Sequence, residues 1–272
     1  MKNIIILTGN ELRHNYVRKA IASFSNINVM RSYCEKKIVT TNNIKEVLQN
    51  DKSLQIRHLE ARDFSEKDFF EPFDRLTKDL SNPVYIKSNE INESHHIKDI
   101  IDLNPDVIIA YGCSLIKGDL LTFFKRRFLN VHLGLSPYYR GVGTNYWPLV
   151  NNEPEYVGAT FMHIDEGVDT GDIIHQIRAK VFPNDMPHQI GNRLISEIPF
   201  TYAAIIENIE KIKPIKQPES KADDKYYRRR DFSEVSTQKL YDNFNNGMIE
   251  NYLKNYDKRI NEVPIVSNPL LK

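Results

Sequence analysis

A doubly wound α/β domain followed by a mainly helical C-terminal extension is the fold class that this sequence predicts, on three observations. Residues 3–7 include three consecutive isoleucines, the continuous apolar run expected of a strand buried on both faces. Thr8-Gly9-Asn10 breaks that run, and Leu12, Tyr16, Val17, Ala20 and Ile21 follow at helical spacing. Residues 106–110 form the clearest internal strand and lead into the turn Tyr111-Gly112-Cys113-Ser114-Leu115-Ile116. Strand, glycine turn and helix in that order open a Rossmann-like domain, whose ligands lie at the carboxyl ends of its strands. The glycine fingerprint of dinucleotide sites is missing after the first strand, so NAD binding is not supported.

The remaining elements follow from the same patterns. Residues 27–30 read as a second strand, and the polar stretch 33–94 as helices over 44–48 and 64–80. A helix over 97–103 stops at Asn104-Pro105, because a residue before proline is pushed out of the helical region. The turn 111–116 feeds a helix running through Phe124, and 128–132 is the next strand. Residues 157–163 and 173–181 read as two β segments flanking an acidic loop. Ile190, Leu194, Ile198, Ala203, Ile206 and Ile209 predict a long helix over 187–212, which Pro199 should kink or split. After Lys213-Pro214 the composition turns polar, and 231–256 reads as a pair of helices. The expected division is therefore a catalytic domain over 1–213 and an extension over 214–272.

Bulk composition narrows the function classes. The chain has 272 residues, with 37 Lys plus Arg against 36 Asp plus Glu, so no global basic field argues for nucleic acid. Cys34 and Cys113 stand far apart without metal-ligand spacing and read as reduced thiols of a cytoplasmic protein. Neither a signal peptide nor a membrane-spanning segment is expected. His95-His96, His132, His163 and His175 lack zinc-site spacing, and adjacent histidines are expected to point apart, so no metal is expected.

The chemistry concentrates in Asn130-Val131-His132 and in Asp169 of the run 165–172. On a strand, residues two apart share a face, so an amide donor and an imidazole are presented together. A carboxylate on the glycine-containing loop downstream could orient that imidazole. Such a set can hold an oxyanion and move a proton. Taken singly, each residue has a blander reading: a histidine after a strand is usually a hydrogen-bonded structural residue, and Asp-Xaa-Gly usually a turn.

The sequence between these parts decides the matter. Gly134-Leu135-Ser136-Pro137-Tyr138-Tyr139-Arg140-Gly141, Thr144-Asn145-Tyr146-Trp147-Pro148 and Val157-Gly158-Ala159-Thr160 precede the acidic loop. From Phe128 to Gln176 the chain resembles the catalytic core of the folate-dependent formyltransferases, closely there and loosely over most of 1–213. The resemblance implies catalytic roles for Asn130, His132 and Asp169. Its formyl donor would be 10-formyltetrahydrofolate, with the pterin against Tyr111, Gly112, Cys113, Ser114, Leu115 and Ile116 and against Asp165, Glu166, Gly167 and Val168. Many members follow the histidine with a Ser-Leu-Leu-Pro type run. This chain has Gly134-Leu135-Ser136-Pro137 instead, so no catalytic serine is assigned.

The turn after the first strand and the stretch 139–148 look most like the branch that formylates an amino group on a nucleotide-linked deoxy sugar. In that reading Asn10, Arg13 and Arg18 hold a pyrophosphate beside a helix N-terminus, and Tyr139, Arg140, Tyr146 and Trp147 wall the acceptor. The aromatics serve equally well as core. Methionyl-tRNA and glycinamide ribonucleotide are the alternative acceptors. Different in class are a formyltetrahydrofolate hydrolase, which carries an N-terminal regulatory domain, and a non-catalytic folate-binding relative. A homodimer is compatible with the sequence.

Overall fold

The computed structural model describes residues 1–36, 53–217 and 224–271. The helix expected over 44–48 lies outside the described residues. In chain order the elements that position the site are β1 (Lys2–Gly9), α1 (Leu12–Ala22), β2 (Ile27–Glu35), α2 (Leu54–Leu76), β3 (Pro83–Ile86), α3 (Ser94–Leu103), β4 (Val107–Tyr111), α4 (Asp119–Phe123), β5 (Phe128–His132), β6 (Tyr139–Gly141), α5 (Trp147–Val150), β7 (Gly158–His163), β8 (Ile173–Arg178) and α6 (Pro187–Asn208). After them come β9 (Lys225–Tyr227), α7 (Glu234–Asn245), α8 (Met248–Lys254) and α9 (Tyr256–Glu262).

Seven strands form the central sheet in the order β3-β2-β1-β4-β5-β7-β8. The first five pair in parallel, and β7 and β8 add antiparallel. The order reverses between β1 and β4, the switch point of a doubly wound sheet. Ile4 and Ile6 pack on one face with Val17 and Ile21 of α1, while Ile5 and Leu7 pack on the other with Ile108 and Phe128. Both faces of β1 are thus buried, as its unbroken apolar run requires.

Several elements differ from the sequence reading. β2 runs on to Glu35 because Ser32 is fully buried inside the sheet and Arg31 pairs with Asp99, so polar residues conceal the strand. β3 is only four residues long, too short for a periodic signal. α2 starts ten residues before the expected 64, with Ser53 Oγ accepting from the Ile56 backbone N–H at 3.1 Å as its cap. Pro199 does not split α6, which runs unbroken from Pro187 to Asn208. Buried Ile195, Ile198 and Tyr202 hold this helix to the sheet, offsetting the roughly 3 kcal/mol that an interior proline costs. The pair of helices expected over 231–256 is present as α7 and α8; among the described residues the extension adds a further helix, α9, and a strand, β9, that pairs in parallel with β6.

The extension shares the core. Leu240, Met248, Ile249 and Tyr252 belong to the same buried cluster as Trp147 and Ile198. Its final segment lies along β8, with the Gln176 backbone N–H donating to Val266 O at 2.7 Å.

Where α2, α6 and α7 meet, His58 and His188 pack ring to ring at 4.4 Å, and His58 Nδ1 lies 3.1 Å from the Tyr241 hydroxyl. Burial, then the neighbouring His188 and Arg62, holds His58 down at about 3. Burial and Arg62 hold His188 at about 4. Both bases are neutral when folded, whereas in the unfolded chain they take up protons below about pH 6.5. Stability from this contact is therefore complete above that pH and is lost as pH falls from about 6.5 toward 4. We expect the melting temperature to drop between about pH 7.5 and pH 5, and His188→Gln to flatten the drop. An equally steep fall in that variant would assign the acid sensitivity to other groups.

Candidate active site

The Rossmann switch point is filled rather than open. The His14 imidazole, on the first turn of α1, is 2% exposed and packs against the Tyr111 ring with centroids 4.9 Å apart. A Cβ on Gly112 would sit 2.4 Å from His14 Nε2, and Gly112 has φ +67°, so both space and backbone require glycine there. With that crevice occupied, the cavity lies one strand further along the sheet.

That cavity, of about 290 Å3, is bordered by Ala110 at the end of β4, by Asn130, and by Met162 of β7. These three are register partners across β4, β5 and β7, which places them in one row of the sheet. One wall is Cys113, Ser114, Leu115 and Ile116, and the opposite wall includes Asp165, Gly167, Val168 and Asp169. Two of the loops singled out from sequence thus face each other across Asn130. Three residues of the two expected pterin loops do not border the cavity. Tyr111 and Gly112 pack around His14, and Glu166 is exposed at the tip of the acidic loop. Ala110, Met162, His163, Ile164, Thr170 and Gly171 also border it, although the sequence reading did not assign them. Met162 and Ala110 carried a signal in principle, since they oppose Asn130, but only knowledge of the strand register reveals it.

Strand geometry puts His132 on the Asn130 face, where the ring is almost fully buried. Its Nδ1 lies 3.2 Å from Asp169 Oδ2, and its Nε2 lies 3.2 Å from the carbonyl oxygen of Tyr139. Both neighbours are acceptors. A neutral imidazole has one N–H for them, whereas a ring that gains a proton satisfies both.

Asp169 owes its place to the loop backbone. It is held at φ +55°, a conformation that costs a non-glycine residue energy and needs support from around it. Asp165 Oδ1 accepts from the Gly167 backbone N–H at 3.0 Å and from Thr170 Oγ1 at 2.7 Å, closing the loop on itself. At its far end Gly171 lies so close to His163 that a Cβ would fall 1.8 Å from the His163 carbonyl oxygen. Gln217 provides the outer tie, donating through Nε2 to the carbonyls of Asp169 and Gly171 at 3.0 Å each. Nothing in the sequence marked Gln217, which lies 48 residues from Asp169. We expect Gln217→Ala to lower turnover by up to roughly tenfold, the scale on which outer supporting hydrogen bonds act. Full activity in that variant would show that the loop holds Asp169 unaided.

The acceptor-side residues lie differently from their sequence reading. Arg18 is 1% exposed and pairs with Asp79, while its Nη1 donates to Ser81 Oγ at 2.5 Å. Arg13 donates to Glu66 at 2.6 Å and to Glu11 at 2.7 Å. Carboxylates of the protein pair with both guanidiniums, which are therefore not presented as free cations at the end of β1. Asn10 stays half-exposed at the end of β1. Tyr139 is buried with its hydroxyl on Glu153, and Trp147 stacks on Tyr227 with centroids 4.0 Å apart. Tyr146 donates or accepts at Ser236 Oγ at 2.9 Å. These three rings join the catalytic part to the extension as core, because each has its polar atom tied inside the protein. Arg140 is half-buried on β6, opposite Tyr226 of β9. His95 and His96 do not point apart, since their rings lie 3.9 Å from each other on the first turn of α3.

An amide, a buried imidazole and its carboxylate thus stand beside a cavity at the strand ends of a Rossmann-like sheet, and these are groups that acyl-transfer chemistry uses. The family model described as formyl transferase matches residues 19–205, and the chain belongs to that family. Among curated relatives, the methionyl-tRNA formyltransferase of Desulforamulus reducens is 35% identical over 117 residues, covering 42% of this chain and 35% of that protein. That of Caldicellulosiruptor saccharolyticus is 36% identical over 150 residues, covering 54% and 46%. The chain thus matches less than half the length of these relatives. Among solved structures, a sugar N-formyltransferase from Shewanella sp FDAARGOS_354 aligns with TM-score 0.54 and 13% identity over 88% of each chain. The N-formyltransferase of Helicobacter canadensis, solved with folinic acid and dTDP-3-aminofucose, aligns with TM-score 0.51 and 18% identity over 89% of this chain and 81% of that one. At these identities the likeness is one of fold. No helix among the described residues is long and apolar enough to cross a membrane.

Proposed function

We propose that this protein is an N-formyltransferase that moves the formyl group of 10-formyltetrahydrofolate to the amino group of a nucleotide-linked amino deoxy sugar, for surface or flagellin glycans. The observation that carries the reaction is the cavity whose walls are Cys113–Ile116 and Asp165–Asp169, with Asn130 at its base and His132 behind Asp169. Leu115, Ile116, Met162, Ile164 and Val168 give it apolar surfaces, and Ser114, His163 and Thr170 give it polar edges. About 290 Å3 suits a flat bicyclic head rather than a whole folate. Such a head presents a donor and acceptor edge to loop backbone and apolar faces to the walls. The His163 Nδ1, buried without a hydrogen-bond partner, adds one free polar atom at that lining.

The donor supplies an activated formyl group, and the chain does the rest. Asn130 donates its side-chain N–H to the formyl oxygen, where charge develops as the amine attacks. The proton that the attacking amine must lose passes to His132 by way of the Asp169 carboxylate, which borders the cavity with the ring directly behind it. The proton then lies on a ring flanked by the Asp169 carboxylate and the Tyr139 carbonyl, both placed to accept from it. Asp169 also fixes the orientation of the ring.

For the acceptor, the near balance of charge and the solved sugar N-formyltransferases of like fold support an amino sugar. A second reading, methionyl-tRNA, is favoured by the curated relatives at 35% and 36% identity. Mass spectrometry decides between them. The protein is given 10-formyltetrahydrofolate with UDP-, dTDP- and GDP-linked amino sugars, and separately with Met-tRNA and glycinamide ribonucleotide. One formyl mass gained by a sugar nucleotide, and lost in His132→Ala, is the expected result. Formylation of Met-tRNA alone would replace the acceptor. Free formate without any formylated product would replace the reaction with hydrolysis.

A further inference from the structure

Behind the cavity wall stands a second group of chemistry-bearing residues that formyl transfer does not use. Glu90 lies in the turn after β3, and His95 and His96 occupy the first turn of α3. A carboxylate oxygen of Glu90 and one ring nitrogen from each histidine all lie within 4.8 Å of one another. His96 Nε2 is buried and has no hydrogen-bond partner, with Glu90 Oε1 3.8 Å away. That separation is too long for a hydrogen bond and suits two groups facing a common centre.

Two of the three groups are already held in place. The Lys87 backbone N–H donates to Glu90 Oε2 at 2.6 Å, which leaves Oε1 turned toward His96. The Tyr33 ring packs edge-on against His96 with centroids 5.3 Å apart, and this fixes the imidazole plane. Supports of this kind orient the ligands of metal sites. His95 is mostly exposed and free to close on the centre by side-chain rotation, and Glu93 stands 3.6 Å from its Nδ1.

We propose that Glu90, His95 and His96 form a binding site for one divalent ion of the zinc type, with water completing the coordination. Two imidazoles and one carboxylate select zinc, cobalt, nickel or copper over magnesium or calcium, which require mainly oxygen ligands. The ion has a structural consequence because the turn carrying Glu90 braces the cavity. Ser114 Oγ accepts from the Asn89 backbone N–H at 3.1 Å. Asn92 Nδ2 donates to Leu115 O at 3.0 Å, and Asn92 Oδ1 accepts from the Lys117 backbone N–H at 2.9 Å. An ion joining this turn to α3 stiffens the loop that forms one wall. Provided that the cavity takes a folate, as proposed above, metal and folate then favour each other's binding.

Metal binding is tested without folate, so it stands or falls apart from the proposed reaction. Tag-free, chelator-treated protein is titrated calorimetrically with Zn2+ alone, and with Co2+ for its visible spectrum. The expected result is one equivalent bound, with a raised melting temperature. Affinity should fall by at least about tenfold in His95→Ala, whose exposed side chain makes misfolding no concern, and in Glu90→Gln, which can still accept from Lys87. Absence of saturable binding, or equal affinity in the wild type and both variants, overturns the site. Loss of affinity in the variants with zinc leaving tetrahydrofolate affinity unchanged would keep the site and remove the coupling.

Discussion

Replacing His132 with alanine is expected to lower formyl transfer by at least roughly 100- to 1,000-fold, the scale on which a positioned proton acceptor contributes. The same range is expected for Asn130→Ala, but the two variants should differ in KM. Asn130 borders the cavity, so its loss should weaken the donor as well as slow the reaction. His132 sits behind Asp169 and does not border the cavity, so its loss should act on turnover with KM for the donor little changed. A sharper check is the double variant. Asp169 and the ring form one contact at 3.2 Å and act as a unit, so His132→Ala with Asp169→Ala should be scarcely slower than the slower of the two single variants. Additive losses in single-turnover assays would mean that Asp169 touches the reacting groups independently. Near-normal turnover in His132→Ala would remove the mechanism.

Arg18→Ala should unfold the protein more readily without affecting acceptor binding by the molecules that remain folded. The guanidinium is buried against Asp79, Ser81 and Asn15, and its removal leaves Asp79 Oδ2 without its cation, although Oδ1 keeps its two hydrogen bonds from Ser81. Removing one half of a buried pair costs about 3 to 5 kcal/mol. The Asp79 side chain is 24% exposed and water will replace part of the contact, so about 3 kcal/mol is expected. For a chain of this size that is a melting-temperature fall of roughly 6 to 12 °C. Chemical or thermal denaturation measures the loss, and KM for the acceptor provides the control. A raised KM with unchanged stability would return Arg18 to the anion-binding role that its position in the sequence suggests.

Arg18 shows why some of the site was legible and some was not. Its place one helical turn beyond the turn that follows β1 is where a phosphate-binding arginine would stand. What pairs with it is Asp79, 61 residues away in the connection between α2 and β3, and no local pattern encodes that meeting. Tyr146 and Trp147 follow the same logic. As aromatics beside a predicted active site they could line a pocket, but Tyr227 and Ser236 of the extension close over them and make them core. Asn130 and His132 were legible because strand alternation is a local rule. It puts them on one face whatever the rest of the chain does.

Composition and local pattern were thus enough to determine the opening strand, turn and helix, the strands around residues 107–111 and 128–132, the face shared by Asn130 and His132, and the loop carrying Asp169. The sequence alone also carried the family resemblance that assigned chemistry to them. Tertiary structure decided which strands became neighbours, and with that the row Ala110, Asn130 and Met162 that floors the cavity. It also decided that His14 plugs the switch point, that Gln217 ties down the loop carrying Asp169, and that Glu90 meets His95 and His96. The physical reason is range. Period and turn chemistry act over a few residues, whereas sheet register, buried ion pairs and loop ties join residues brought together only when the core excludes water.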